Sequence, residues 1–421
     1  MRVVLINKSD TTGGAAVVSR RLMEALRNAD IDARMLVAEK KSDSPFVELA
    51  AQEWLIKEKF LAERLKIFIS NGFNRSTLFK IDTGETGLPL WKHPRVKEAD
   101  VIMLNWVNQG MLSLKGVGKL LASGKPVIWT MHDLWCMTGI CHHSYNCTHF
   151  KEKCGLFTLL GKKREKDLSR NVWTIKNKLY HSPSDRKMAF VAVSQWLAEK
   201  ASESSLLKNE RVEVIPNAFP IVEGIEKRRD NDKIRILFGA ARLDDPVKGF
   251  NILQEVTKIL REKNEGLARE VELVTFGGYK DPSIFEKIAI NHRHLGTVKG
   301  EDEIRKVYLQ GDIVLSTSLW ETLPTTLVEA QMYGCIPVSF NRGGQSDIIS
   351  HLQTGYIAEM TSHIEESAEN ITQGVIWAIE KIKEGDFSNI CKKMKESAES
   401  KFSSESVANQ YISLMHDMLY K

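Results

Sequence analysis

The chain has 421 residues, 43% hydrophobic and 27% charged, a composition that excludes a disordered or fibrous chain and suits about two or three globular domains. Its 59 basic and 54 acidic residues leave a net charge of +5. So small an excess argues against a nucleic-acid partner and suits an anionic small ligand or occasional contact with an anionic membrane surface.

Short β-branched runs alternate with longer amphipathic ones, the pattern of βαβ units around a parallel sheet. The opening run M-R-V-V-L-I-N soon meets Asp10. It is too short for a signal peptide or a membrane span and predicts a buried strand over Val3–Asn7. No long uncharged stretch follows, which makes the cytoplasm the expected compartment. The turn T-T-G-G-A-A then leads into a helix over Ala16–Arg27. Gly13 and Gly14 there would let a ligand approach the backbone, although a plain tight turn uses glycines equally well. The turn is not the G-x-G-x-x-G of a dinucleotide fold, which counts against a dehydrogenase.

Further strands are expected over Ala33–Val37, Val101–Asn105, Val127–Thr130, Phe190–Ser194 and Val212–Ile215, with helices over Leu112–Ala122 and Trp196–Glu203. The stretch Trp54–Ile69 mixes aromatics, leucines and lysines at helical spacing. Such a helix more commonly packs on its domain with lysine and glutamate outward, but it could also lie on the inner face of a membrane. His132 ends the strand V-I-W-T-M, where a histidine can reach a ligand or simply be structural. Asp133 beside it would orient it or cap the next turn. Of the six cysteines, four crowd into Cys136–Cys154. Cys141, Cys147 and Cys154, with His142, His143 and His149 nearby, are ligand types for a structural zinc. Their spacing fits no standard zinc finger, and unpaired thiols are the commoner state.

Prolines and the charged string E-K-R-R-D-N-D-K within Pro216–Lys233 read as a linker, after which the rhythm restarts. Strands follow over Ile234–Phe238, Leu273–Phe276, Ile313–Ser316 and Pro337–Phe340. The fold class is therefore α/β, with two doubly wound Rossmann-like domains facing a cleft. Ligands in such sheets sit beyond the carboxyl ends of the strands. Two junctions there carry chemistry. In A-R-L-D-D-P-V-K-G-F, Arg242 and Lys248 could clamp a diphosphate, or form a solvated basic loop. In S-T-S-L-W-E-T-L-P-T-T-L-V-E-A, Glu321 lies in the loop, Pro324 at the expected start of a helix, and Thr325, Thr326 and Glu329 on one polar stripe. A helix start favours phosphate, and carboxylates suit ribose and sugar hydroxyls. Isolated glutamates would be unremarkable.

The surrounding residues make them specific. Glu321 and Glu329 are followed by Gly334-Cys335-Ile336-Pro337-Val338, by Gly343-Gly344 and by Thr354-Gly355-Tyr356. This order resembles the donor signature of glycosyltransferase family 4, the retaining GT-B family, and the resemblance covers nearly the whole chain. It implies an acceptor-side domain over residues 1–217, a donor domain over residues 218–400 and a last helix over residues 401–421 that returns to the first domain. It also implies roles: Glu321 and His132 at the donor sugar, Glu329 at the ribose, and Arg242, Lys248, Thr325, Thr326, Gly13 and Gly14 around the phosphates. The implied reaction moves a sugar from a nucleoside-diphosphate sugar to a hydroxyl on a saccharide or lipid-linked saccharide, with no metal or other cofactor needed for catalysis. Asn105-Trp106 departs from the His-Trp of close relatives. The stretch H-D-L-W-C-M-T-G-I-C-H resembles that of a subset acting on surface polysaccharides, although Phe157 replaces the last expected cysteine. A GT-B epimerase or phosphorylase, or a non-catalytic nucleotide-sugar-binding protein, would share the donor motifs.

Overall fold

The computed structural model describes residues 1–75, 77–157, 160, 165–182, 186–222 and 233–420; the charged string of the linker lies outside them except for Lys233. The chain forms two compact units, Met1–Ala218 with Ser404–Lys421, and Phe219–Ser403. The first unit opens with β1 (Arg2–Ser9), α1 (Gly14–Asn28), β2 (Asp32–Glu39), β3 (Val47–Leu49) and α2 (Glu53–Ser70). It continues through α3 (Pro94–Glu98), β4 (Val101–Leu104), α4 (Leu114–Leu121), β5 (Val127–Met131), α5 (Leu168–Tyr180), β6 (Met188–Ala192), α6 (Gln195–Glu203) and β7 (Val212–Val214). The second unit begins with β8 (Ile234–Arg242), α7 (Phe250–Lys263), α8 (Glu265–Glu270), β9 (Val271–Gly278), β10 (His292–His294) and α9 (Glu301–Gln310). Then come β11 (Ile313–Ser316), α10 (Thr325–Met332), β12 (Ile336–Phe340), α11 (Gln345–Ile348), β13 (Tyr356–Ala358), α12 (Ile364–Lys383) and α13 (Phe387–Phe402). The last helix, α14 (Ser404–Tyr420), belongs to the first unit.

Each unit is built on one parallel sheet, in the order β3-β2-β1-β4-β5-β6-β7 and β10-β9-β8-β11-β12-β13. The winding reverses between β1 and β4 in the first sheet and between β8 and β11 in the second. Loops leaving those strands therefore diverge and open a crevice at their carboxyl ends. Central strands such as β4, β5 and β12 are buried along their whole length, as a sheet covered on both faces requires. In the first unit α14 adds Val407, Tyr411 and Met415 to the core formed by α1 and the sheet, and the Tyr411 hydroxyl lies 3.0 Å from Thr130 Oγ1 on β5.

Helix α2 covers the expected stretch, and Glu53, Lys57, Glu58 and Lys66 face outward as expected, yet its two faces are mixed. It buries Ile56, Glu63, Arg64 and Ile67 and exposes Trp54, Leu61, Leu65 and Ile69. The expectation that glutamate would face outward fails at Glu63, and the reason is a set of buried polar partners. Glu63 Oε1 accepts the backbone N–H groups of Thr83 and Gly84, both at 2.9 Å. The Arg64 guanidinium donates to the Asp82 carboxylate and to the Leu78 carbonyl. Asp82 Oδ2 lies 2.7 Å from His142 Nε2, and His142 Nδ1 lies 2.6 Å from Asp133 Oδ2. Charges thus alternate from Arg64 to Asp82, His142 and Asp133, and each buried charge has an opposite neighbour. Burial works against the His142 charge, but the Asp133 carboxylate and the hydrogen bonds to Asp133 and Asp82 outweigh it and raise its pKa to about 10.

Replacing His142 with Gln leaves the Asp133 carboxylate without a cation, while Asp82 keeps Arg64, and should cost about 3–5 kcal/mol at pH 6. Because folding raises this pKa, the stabilisation is complete below the ordinary value of 6.5 and is lost as pH rises through about 10. In denaturant titrations the gap between the native protein and His142→Gln should be widest near pH 6 and shrink towards pH 10. A gap independent of pH would show that His142 is not held as an imidazolium.

Candidate functional site

In the second unit the switch point of the sheet brings together the loop after β8 and the loop after β11. The β8 loop runs through a single 3-10 turn, Pro246–Lys248, to Gly249 at the N-cap of α7. Gly249 has φ 65°, and a Cβ there would lie 2.2 Å from the Thr317 carbonyl oxygen, so only glycine fits. The Thr317 hydroxyl donates to the Lys248 carbonyl at 3.0 Å and the Gly249 carbonyl at 2.8 Å, and Leu319 N–H donates to Val247 O at 2.8 Å. These bonds stitch the two loops together and hold the Lys248 backbone beside the Glu321 loop.

Lys248 Nζ reaches Glu321 Oε1 at 2.6 Å. Burial works against the Lys248 charge, but the Glu321 carboxylate more than offsets it and keeps the ammonium pKa above the usual lysine range. Glu321 is itself fixed from behind. The Gly344 N–H donates to its carbonyl at 3.1 Å, and a Cβ on Gly343 would lie 1.6 Å from that oxygen. The Gly-Gly turn read from the sequence is therefore the backbone rest of Glu321. Arg342, just before it, sets its guanidinium 5.1 Å from the centre of the Trp320 ring.

Helix α10 starts one residue later than expected: Pro324 is the N-cap and Thr325 the first helical residue. Proline fits there because the first-turn N–H groups have no intrahelical acceptor, so its missing donor costs nothing. Thr325, Thr326 and Glu329 are half-buried while Leu327 and Ala330 are buried, so the expected polar stripe is present. Glu329 Oε2 accepts the Tyr308 hydroxyl at 3.1 Å. Tyr308, on α9, stacks on Tyr333 with centroids 5.3 Å apart and planes 3° from parallel. Nothing local in the sequence marks Tyr308, because it lies on the preceding helix. Arg242 is exposed at the end of β8, with Nε 3.1 Å from Asp244 Oδ1. The two expected cations thus have different partners, Asp244 for Arg242 and Glu321 for Lys248.

In the first unit, His132 follows β5 and its Nε2 lies 3.2 Å from Asn105 Oδ1 at the end of β4. Burial pulls its pKa down to about 4, against a smaller upward pull from Asp133. The ring is therefore neutral near pH 7. Asp133 accepts the Trp135 N–H at 2.7 Å and the Trp106 indole N–H at 2.9 Å besides its bond to His142, so it braces the turn. Gly13 caps α1 with φ 90°, and neither Gly13 nor Gly14 has a neighbour within 4 Å of where a Cβ would stand.

The zinc expectation does not fit the geometry. Among the described residues no group of three or more His, Cys, Asp or Glu could hold a metal, and both ring nitrogens of His142 bond carboxylates. Cys141 is largely enclosed and Cys154 is buried, with the Cys154 Sγ accepting the Gly139 N–H at 3.2 Å, while Cys147 is exposed. Burial raises the Cys154 thiol to about 11, so it is not a ready thiolate. Beside these thiols the buried Lys176 donates to the carbonyls of Trp135, Thr138 and Gly139, the last two at 3.1 and 3.0 Å. A lysine pins the loop.

Residues 12–221 match the family model described as Glycosyltransferase Family 4, and residues 223–398 that described as Glycosyl transferases group 1. The chain is 30% identical over 186 residues to the phosphatidylinositol N-acetylglucosaminyltransferase GPI3 subunit of Saccharomyces cerevisiae, a match covering 41% of this chain and 39% of that protein. It is 29% identical over 179 residues to an uncharacterized 41.2 kDa protein in the cps region of Klebsiella pneumoniae, covering 40% of this chain and 46% of that one. The matched stretch spans less than half the length of either curated relative. In fold the chain is similar to Anabaena Alr3699/HepE, solved in complex with UDP, with TM-score 0.61 and 17% identity over 99% of this chain and 100% of that one. Two family matches that together run through both parallel sheets place the chain in glycosyltransferase family 4, with the GT-B fold.

Proposed function

We propose that the protein is a retaining glycosyltransferase that moves a sugar from a nucleoside-diphosphate sugar to a hydroxyl, with the donor held by the second unit. The observation that carries this reading is the Lys248–Glu321 pair beside the start of α10. A departing nucleoside diphosphate gains negative charge in the transition state, and an enzyme stabilises it best with donors already in position. Lys248 supplies a cation held by the loop stitching, and the first-turn N–H groups at Thr325 and Thr326 supply donors aligned with the helix dipole. Glu321 suits the donor sugar's hydroxyls and Glu329, oriented by Tyr308, the ribose. Arg242 would reach the diphosphate by exchanging Asp244 for phosphate oxygens. No step in this scheme calls for a metal.

In the first unit, a neutral His132 can exchange hydrogen bonds with a saccharide hydroxyl without adding charge, and Asn105 fixes its orientation. Gly13 and Gly14 leave room for a ligand at the start of α1. A saccharide, free or lipid-linked, is the acceptor class we favour, and surface polysaccharide assembly the setting. The cps region of the Klebsiella relative and the phosphatidylinositol-directed name of the yeast relative support that choice.

Lys248→Ala and Glu321→Ala should each lower turnover about 10²–10³-fold with an unchanged melting profile, the loss expected for removing one preorganised transition-state contact. Near-normal turnover in either would sink the assignment. Glu329→Ala removes charge-assisted hydrogen bonds worth about 1.5–3 kcal/mol, so nucleoside-diphosphate affinity by calorimetry should fall about 10–100-fold. Product analysis with the nucleotide sugar alone separates the related reactions: an epimerase would need no acceptor, whereas a transferase should leave the sugar unconverted until a saccharide is added. The anomeric configuration of that product, read by NMR, tests retention.

A further inference from the structure

Exposed large apolar side chains are unevenly spread. Trp54, Leu61, Leu65 and Ile69 on α2, with Phe73 and Phe79 just beyond it, are each between 54% and 67% exposed. Spacings of seven, four and four residues bring the first four onto one side of the helix. Single exposed apolar residues need no explanation, but four large ones along one side of a helix, with two exposed phenylalanines soon after it, mark a surface that meets something other than water.

The inner face strengthens the point. A helix whose only outer neighbour is water keeps its charges outside and its leucines inside. In α2, Glu63 and Arg64 are buried while Leu61 and Leu65 face out. The burial of those two charges has a cost that is met by specific partners: Thr83 and Gly84 for Glu63, and Asp82 for Arg64. Polar bonds therefore anchor the inner face and leave the apolar face free for a partner.

We propose that this face seats on an anionic lipid surface, with the apolar side chains at the headgroup–acyl boundary. Charge selects this occupant. Exposed Lys57 lies on one flank of the stripe, Lys66, paired with Glu85 at 2.7 Å, on the other, and Arg75 and Lys80 accompany the two phenylalanines. Glu58 falls within the stripe, but its carboxylate is 2.9 Å from Lys59 Nζ. Trp54 and the two phenylalanines suit the interface, where aromatic rings concentrate, and the lysine stems can lie along the apolar surface with their ammonium groups among headgroups. A second copy docked through the same face would bring these cations against their own kind. Among the described residues no helix is long and apolar enough to cross a membrane, so the contact is peripheral. Docking itself does not depend on the transferase reading. Only its use, to reach a lipid-linked acceptor, rests on that reading.

Flotation of the full chain with phosphatidylcholine vesicles, with and without phosphatidylglycerol, tests the proposal. The native protein should float with the anionic vesicles, and Leu61→Glu with Leu65→Glu should reduce the bound fraction at least about tenfold. Both positions are exposed, so melting and nucleoside-diphosphate binding should not change, which keeps a failure of docking distinct from a failure of the donor site. Brominated lipid should quench part of the native tryptophan emission, and that part should vanish in Trp54→Phe. Absence of flotation, or equal flotation by the double variant, overturns the proposal. A dimer in sedimentation that the double substitution abolishes, without flotation of the native chain, assigns the face to a second copy instead.

Discussion

One ion pair organises the second unit. Lys248 and Glu321 lie far apart in sequence, on loops that leave adjacent strands, and meet at 2.6 Å. The neighbouring features make sense as ways of holding that pair: the Thr317 hydroxyl bonded to the Lys248 and Gly249 carbonyls, the left-handed Gly249, and the Gly343-Gly344 turn against the Glu321 backbone. A half-buried pair of this kind, whose desolvation offsets much of its attraction, adds little to stability. In the proposed donor site its use lies in readiness. A lysine and a glutamate already paired can be redistributed, cation to phosphate and carboxylate to hydroxyl, without the large reorganisation that a mobile site would require.

The first unit solves a different problem with the same means. Its apolar core is supplied by the sheet, α1 and α14, while α2 is fastened by charges instead. The alternating series Arg64, Asp82, His142 and Asp133 runs from that helix to the turn directly after His132. Buried ion pairs are a costly way to add stability but a specific way to fix one arrangement. Here they fix the turn and the helix together, and so couple the proposed lipid-facing surface to the strand end that carries His132.

Much of this was legible in the sequence. The central strands were readable because a sheet covered on both faces needs unbroken apolar runs, and β11 matches its expected limits residue for residue. The short edge strands β3, β10 and β13 were not, since three residues, as in V-E-L or H-R-H, carry too little periodicity. Glu321, Glu329 and the Gly-Gly turn were found through order and spacing. Tyr308 was missed because its contact with Glu329 depends on how α9 packs beside α10. The inward turn of Glu63 on α2 was missed for a related reason: it read as solvent-facing with the other glutamates, and its partners, the Thr83 and Gly84 N–H groups, come from another loop. His142 was taken as a zinc-ligand type, which its chemistry allowed, whereas in the structure both of its ring nitrogens bond carboxylates. Local chemistry was readable; long-range partnership was not.

The central claim is that the start of α10, with Lys248, Glu321 and Glu329, is where a nucleoside diphosphate binds. A crystal structure of the protein soaked with UDP or GDP tests it most directly. The diphosphate should lie on the N–H groups at Thr325 and Thr326, the ribose hydroxyls on Glu329, and Lys248 should turn from Glu321 towards a phosphate oxygen. A nucleotide bound elsewhere, with the Lys248–Glu321 pair undisturbed and Glu329 still only on Tyr308, would contradict it.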